Sequence, residues 1–317
     1  MKKIGILTRD CAGVNACIRS VVRTADSYGI ETVGIFRGYD GLINGEVKPL
    51  SHRSVSGIIN LGGTILKTSR CKRFETEEGQ LRAVQTIKNN NLDGLIVIGG
   101  NGSLTGAHTL AMKYAIKVVG IAATIDNDVN GIDMTIGADT AVNVALDALD
   151  KIRDTATSLE RIFVVEVMGR DCGYLASRVA LAGGCEEVVV PERNFDIDAM
   201  CEAITEGNIR GKISWIVVVA EGKAKAVDVA AKITEMTELE TRVVVLGHIQ
   251  RGGIPTAYDR ILAARYGNYA VEILKDGCTN VCVGLRNNIL ISLPLEEAIK
   301  PKDIEIETYY QLIKVLT

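Results

Sequence analysis

The sequence predicts an α/β protein of two lobes, each a mainly parallel β-sheet sandwiched by helices. Three observations carry that prediction. Short runs rich in Val and Ile recur along the 317 residues. They are continuously apolar rather than alternating, as in strands buried on both faces. The segments between them place apolar residues at helical spacing. With 47% apolar residues, a chain of this length can bury a large core and divide into two lobes.

The elements follow in order. KIGILT (3–8) is a short strand. Residues 15–29 fit a helix, with Ile18, Val21, Val22 and Ala25 on one face and Gly29 at its end. ETVGIF (31–36) is the next strand. A helix near 76–89 carries Leu81, Val84 and Ile87. DGLIVIGG (93–100) and KVVGIA (117–122) are buried strands. A long helix near 138–153 has the stripe Val142, Ala145, Leu146, Leu149 and Ile152. RIFVVEV (161–167), EEVVVP (186–191), ISWIVVVAE (213–221) and RVVVLG (242–247) are strands with helices between them, and a last long helix covers 257–274. Only five prolines occur, so no linker is evident and any lobe boundary is crossed by tight connections.

Composition excludes several classes. A formal net charge of −3 and 4% aromatic residues argue against nucleic-acid partners. The eight cysteines contain no CxxC, and the three histidines lie far apart, so no zinc site is expected. Scattered thiols in a chain this size read as reduced and cytoplasmic. The start, MKKIGILTRD, has too short an apolar run for a signal peptide, and no apolar run approaches bilayer length. The expectation is a cytoplasmic protein with no membrane partner.

Open parallel sheets bind ligands beyond the carboxyl ends of their strands, and four such ends carry unusual residues. TRDCAGVN (8–15) follows the first. GGNGS (99–103) follows the strand of LIVI; a glycine-rich turn entering a helix exposes backbone N–H groups to phosphate. Gly100, Gly102 and Gly106 are spaced one residue too long for a dinucleotide fingerprint, and GNIRGKI (207–213) is not a Walker A loop. A plain tight βα turn would read the same way. TIDNDVNG (124–131) sets two carboxylates at i, i+2, a pattern suited to proton transfer and metal support in phosphoryl transfer, or to an Asx-rich turn. In the second half, Arg170, Glu221, His248 and Arg251 stand at strand ends. Arg and His suit phosphate and Glu suits sugar hydroxyls, although each alone is more often a surface ion pair.

At these residues the sequence closely resembles the 6-phosphofructokinase family, of the bacterial ATP-dependent type. The resemblance runs in order through GYDGL (38–42), GGTILKTSR (62–70), GGNGS, TIDND, TIGADTA (135–141), RIFVVEVMGRDCGYLA (161–176), GGCEEVVVPE (183–192), AEG (220–222) and LGHIQRGGIPTAYDR (246–260). It implies a larger, donor-binding lobe of residues 1–137 plus 250–300, and a smaller, sugar-phosphate-binding lobe of residues 138–249 plus 301–317. It also implies a glycolytic kinase that makes fructose 1,6-bisphosphate from fructose 6-phosphate. Asp126 would be the general base, supported by Thr124 and Asp128. Arg70 and Arg170 would stabilise the transferring phosphoryl. His248 and Arg251 would hold the sugar phosphate, with Arg161 and Arg242 reaching in from a neighbouring subunit of a homotetramer. Met168, Gly169 and Glu221 would contact the sugar. Arg9, Asp10, Arg70, Cys71, Gly100, Asn101, Gly102 and Ser103 would line the donor side, and Asn101 and Asp128 would associate with Mg²⁺. Arg19, Arg23, Arg153, Glu186, Arg210 and Lys212 match an allosteric effector site for a nucleoside diphosphate or phosphoenolpyruvate; a solvated basic face is the plainer reading.

Two departures stand on the donor side. The loop Thr8-Arg9-Asp10-Cys11-Ala12-Gly13 is shorter than the family's and has arginine at a glycine position, where glycine lets backbone approach phosphate closely. Arg9 would supply side-chain charge or fill that space. Asn101 stands where the family has an aspartate, which weakens the expected hold on Mg²⁺. Gly102 and Ala123 are small where pyrophosphate users carry Asp and Lys, which favours ATP as donor. Pyrophosphate, and a catalytically weak sugar-phosphate-binding regulatory paralogue, remain as alternatives. His248, Arg251 and Glu221 do not separate fructose 6-phosphate from other phosphorylated sugars.

Overall fold

The computed structural model describes residues 1–317. In chain order the elements are β1 (Lys3–Thr8), α1 (Val14–Ser27), β2 (Glu31–Ile35), α2 (Gly38–Asn44), β3 (Val47–Leu50), α3 (Glu77–Asn89), β4 (Gly94–Gly99), α4 (Asn101–Tyr114), β5 (Val118–Ala122) and α5 (Ala138–Leu159). There follow β6 (Ile162–Val167), α6 (Tyr174–Ala182), β7 (Glu187–Val189), α7 (Ile197–Ile209), β8 (Trp215–Ala220), α8 (Ala226–Thr237), β9 (Thr241–Val245) and α9 (Ala257–Lys275). β10 (Val281–Arg286), β11 (Ile289–Pro294), α10 (Leu295–Ala298) and α11 (Glu307–Leu316) close the chain. Two compact units result: Met1–Thr140 with Arg251–Lys302, and Ala141–Gln250 with Asp303–Thr317.

The first unit holds a seven-stranded sheet of order β11-β10-β5-β4-β1-β2-β3. Its centre is parallel and its two margins are antiparallel. Leu95, Ile96, Val97 and Ile98 of β4 are all fully buried, as a continuous apolar run between two helical layers requires. The second unit holds a four-stranded, wholly parallel sheet of order β7-β8-β6-β9. One face packs on α5, α6 and α11 through Leu149, Val179 and Ile313, and the other on α7 and α8 through Ile204 and Ile233. Each such aliphatic side chain contributes about 1.5–3 kcal/mol when fully buried.

Three helix starts are set by side-chain caps. Thr76 accepts from the Gly79 amide to open α3, Asp196 from Asp198 and Ala199 to open α7, and Thr256 from Asp259 to open α9. Each cap contributes about 1 kcal/mol.

Several elements differ from the sequence reading. α5 runs to Leu159, because DTATSL offers no breaker before the left-handed Glu160. In α3 the buried side is Gln80, Ala83, Val84 and Ile87, while Leu81 faces solvent. β3 carries Pro49, which removes a ladder donor and is tolerated because β3 is an edge. The hairpin β10–β11 turns through Asn287 and Asn288, both with positive φ, a two-residue connection suited to strand twist.

Candidate active site

The first unit assembles its polar groups at the carboxyl ends of β1, β4 and β5. After β1 the Arg9 amide donates to the Ile98 carbonyl, continuing the β1–β4 ladder by one residue. The Arg9 guanidinium turns onto the segment before Arg70: Nη1 donates to Ser69 O (2.7 Å) and Thr68 Oγ1 (3.2 Å). Its stem lies against Gly99, where an added Cβ would stand 3.1 Å from the Arg9 Cγ. Arg9 therefore braces the 68–69 backbone in the space a glycine would leave open. Asp10 is half-buried. The Cys11 thiol is buried, donates to the Ile136 carbonyl, and is pushed up by burial and then by the charges of Asp259 and Asp10. It stays protonated and is no nucleophile. Arg70 is exposed, and Cys71 is half-buried beside Asp40, its thiol pushed up chiefly by burial.

GGNGS is less of a loop than its glycines suggest. α4 already begins at Asn101, and Gly100 O accepts from the amides of Ser103 and Leu104. Gly102 faces open space, and the first turn carries no acidic residue, so the amides of Asn101 and Gly102, which precede those two bonds, can face an anion. Ser103 is buried, and its carbonyl accepts from the Tyr39 hydroxyl. Gly106 belongs to helix packing instead: a Cβ there would lie 2.6 Å from the Tyr39 ring.

Beyond β5, Asp126 is nearly buried, and its amide donates to Thr124 Oγ1 (3.2 Å). Asn101 Nδ2 donates to Asp128 Oδ2 (2.9 Å) and to its carbonyl (3.1 Å). The amide oxygen of Asn101 is buried without a hydrogen-bond partner. No group of three or more Asp, Glu, His or Cys side chains clusters as a metal cage. Mg²⁺ is commonly held by one or two carboxylates together with substrate phosphates. The unpartnered Asn101 oxygen next to the Asp128 carboxylate fits that lesser role.

The second unit gathers Met168, Gly169, Arg170, Glu221 and His248 at the carboxyl ends of β6, β8 and β9. The Met168 amide donates to Gln250 Oε1 (2.8 Å) and the Arg170 amide to Glu221 Oε1 (3.3 Å). Gly169 has φ +145°, which favours glycine, and Arg170 is itself left-handed at φ 50°. The two loops cross so closely that a Cβ on Gly222 would stand 1.6 Å from the Arg170 carbonyl. His248 is exposed and Arg251, where the chain re-enters the first unit, is half-buried; they lie at i, i+3 within the 3₁₀ turn Gly247–Arg251, positions that share a face.

Arg161 and Arg242 are not with this group. They stand at the amino ends of β6 and β9 and share Glu240, with Arg161 Nε 2.7 Å from its carboxylate. β6 has six residues, so this is roughly 20 Å along the strand from Met168. Among the effector matches, Lys212 pairs with Glu186 (3.3 Å), Arg153 donates to the carbonyls of Gly183 and Gly184, and Arg210 pairs with Glu206. Arg19 and Arg23 both lie off the buried face of α1.

Four buried polar residues that build these loops were not singled out by sequence: Asn15, Asn127, Gln250 and Asp259. Asn15 latches the 61–65 segment through Leu61 O, Gly62 O and the Ile65 amide. Asp259 accepts from the amides of Gly137 and Thr140 at the start of α5. The signal for Asn127, Gln250 and Asp259 was their position inside TIDND, GHIQRGG and AYDR.

Both units are sheets with helices on each face, and their charged and glycine-bearing loops lie at carboxyl strand ends. That defines an α/β protein of the open-sheet, ligand-binding class. Residues 3–274 match the sequence pattern of the family described as Phosphofructokinase. The chain is 49% identical over its full length to the full-length ATP-dependent 6-phosphofructokinase of Clostridium tetani. It is 48% identical to that of Halalkalibacterium halodurans, over 98% of each chain. A phosphofructokinase structure from Saccharomyces cerevisiae superposes with TM-score 0.88 at 34% identity, over 94% of this chain and 45% of the yeast chain. A pyrophosphate-dependent phosphofructokinase from Marinobacter aquaeolei has the same fold, with TM-score 0.85 at 22% identity over 100% of this chain and 91% of its own. The chain belongs to the phosphofructokinase family.

Proposed function

We infer that the chain is an ATP-dependent 6-phosphofructokinase, transferring a phosphoryl group from ATP to the C1 hydroxyl of fructose 6-phosphate in glycolysis. The observation that carries the donor and the acceptor is the full-length identity, 47–49%, to relatives of that activity. The geometry supports a mechanism. Asp126, held beside Thr124 at the end of β5, takes the C1 hydroxyl proton as general base, an effect of roughly 10²–10⁴ in rate. Arg70 and Arg170 stabilise charge on the transferring phosphoryl. The first unit takes the donor: the open helix start at Gly100, Asn101, Gly102 and Ser103 meets phosphate, flanked by Arg9, Asp10, Arg70 and Cys71. The second unit takes the sugar through Met168, Gly169 and Glu221, with its His248, and Arg251 next to it along the chain, on the sugar phosphate.

Mg²⁺ would be held by Asp128 and the Asn101 amide oxygen, and when bound it neutralises charge on the donor phosphates. Arg161 and Arg242 lie too far along the strands to serve their own sheet's carboxyl end. They complete the sugar-phosphate site of a second copy in a homotetramer. Arg19, Arg23, Arg153, Glu186, Arg210 and Lys212 form an effector site for a nucleoside diphosphate or phosphoenolpyruvate. The protein works in the cytoplasm; no helix is long and apolar enough to cross a membrane.

The test is phosphorylation of fructose 6-phosphate by purified protein with Mg²⁺, offering ATP, ADP and pyrophosphate separately. Turnover with ATP that collapses in Asp126→Ala is expected. Turnover with pyrophosphate alone would reassign the donor. Sugar-phosphate binding without turnover on any donor would leave a regulatory binder.

A further inference from the structure

The loop that carries Asp126 and Asp128 is held by a residue far away in sequence. Asn127, between the two carboxylates, is 2% exposed and left-handed at φ 50°. That conformation sets the directions in which its neighbours leave the backbone, and asparagine tolerates it better than most residues. Its side chain is engaged at both ends: Oδ1 accepts from the Thr135 amide (2.9 Å), and Nδ2 donates to the Asp133 carbonyl (3.0 Å). Thr135 in turn donates its hydroxyl to the Thr124 carbonyl at 2.6 Å. These bonds tie the loop to itself.

The outer half of the loop is pinned elsewhere. The Asn130 amide donates to Ala298 O, and the Asp133 amide to Leu285 O. The Asp133 carboxylate accepts from the Asn287 amide at 2.6 Å. For the Asn127 carbonyl, the structure supplies Lys302. Its ammonium donates to Asn127 O at 2.8 Å and to Ile132 O at 2.7 Å, clasping both sides of the turn. Charge-assisted hydrogen bonds are roughly twice as strong as neutral ones. Lys302 is the last residue of the first unit before the chain enters the second at Asp303. No periodicity or motif marks it.

We propose that Lys302 is a positioning residue for phosphoryl transfer. By holding the carbonyls of Asn127 and Ile132, it keeps the turn that aims Asp126 at the acceptor hydroxyl and Asp128 at the donor side. This rests on the functional reading above. Lys302 touches no substrate; it acts through the Asn127 backbone. A base displaced by about 1 Å loses on the order of 10² in rate, and the loss falls on kcat because the sugar is held by other residues.

The test compares kcat and KM for fructose 6-phosphate and ATP in the full-length protein, in Lys302→Met and in Lys302→Arg, with thermal midpoints recorded. Lys302→Met is expected to lower kcat by about 10²-fold with the fructose 6-phosphate KM unchanged, the signature of an interaction lost in the transition state. Lys302→Arg, which keeps charged donors, is expected to recover most of that rate. If Lys302→Met does not fold, Lys302→Gln carries the same comparison. An unchanged kcat, a raised KM at constant kcat, or a Lys302→Arg protein no faster than Lys302→Met would each overturn the proposal while leaving the kinase reading intact. A wild-type protein without turnover would instead overturn the kinase reading, and this inference with it.

Discussion

The strand-end loops of the two units keep their shapes by different means. In the second unit the backbone leaves no choice. Gly169 occupies a conformation suited to glycine, and Gly222 lies under the Arg170 carbonyl at a distance that admits no side chain. In the first unit, where Gly13 is likewise left-handed at φ 94°, side chains add to such constraints. Arg9 fills the place beside Gly99 and braces Ser69, and the Asn101 amide holds Asp128. A loop determined by close backbone approach resists substitution, because any added atom collides. A loop braced by side chains can be rebuilt one residue at a time.

Four measurements probe this contrast, from the largest effect to the smallest. Arg170→Ala and Arg70→Ala, at positions that are both exposed, should each lower kcat by about 10³-fold. Steady-state kinetics of both variants decides; an unchanged kcat in either would remove that arginine from the transition state. Gly222→Ala should displace the Arg170 turn and destabilise the protein by about 1–3 kcal/mol, visible as a lower thermal midpoint and a raised fructose 6-phosphate KM. A wild-type midpoint would show that the crossing loops yield. Asn101→Asp should tighten divalent-metal binding, read by paramagnetic Mn²⁺ titration without turnover, because a carboxylate replaces a neutral oxygen. Weaker binding would mean that the amide's grip on Asp128 matters more than the added charge. The smallest effect concerns thiols. Six of the eight cysteines are buried, and burial pushes Cys185 up to about 12 and raises Cys11, Cys17 and Cys282 as well. At about pH 8 a thiol reagent should titrate only Cys71 and Cys278 quickly in the folded protein, and all eight in denaturant. Fast reaction of Cys11 would mean that the first loop opens readily.

Legibility followed the same division. Central strands such as β4 and β6 were readable because burial on both faces demands an unbroken apolar run. The marginal strands β3, β10 and β11 were not, since an edge relaxes that demand and admits Pro49. Asp126, Arg170 and Glu221 were readable from strand-end position and motif. The fates of Arg9 and Asn101 were not, because a guanidinium can reach several partners and sequence does not order them.

By itself the sequence determined the α/β class, the alternation of buried strands with amphipathic helices, the family, and the strand ends at which charged residues collect. Periodicity and motif are local properties, and local chemistry suffices for them. Only the tertiary structure decided that α4 begins at Asn101, that Asn101 donates to Asp128, that Arg161 and Arg242 lie at the opposite end of their sheet from Met168, and that Lys302 clasps the turn at Asn127. These depend on which residues, distant along the chain, are brought within hydrogen-bond reach. Burial makes such contacts obligatory, since a polar group removed from water must find a partner, but the fold chooses which one.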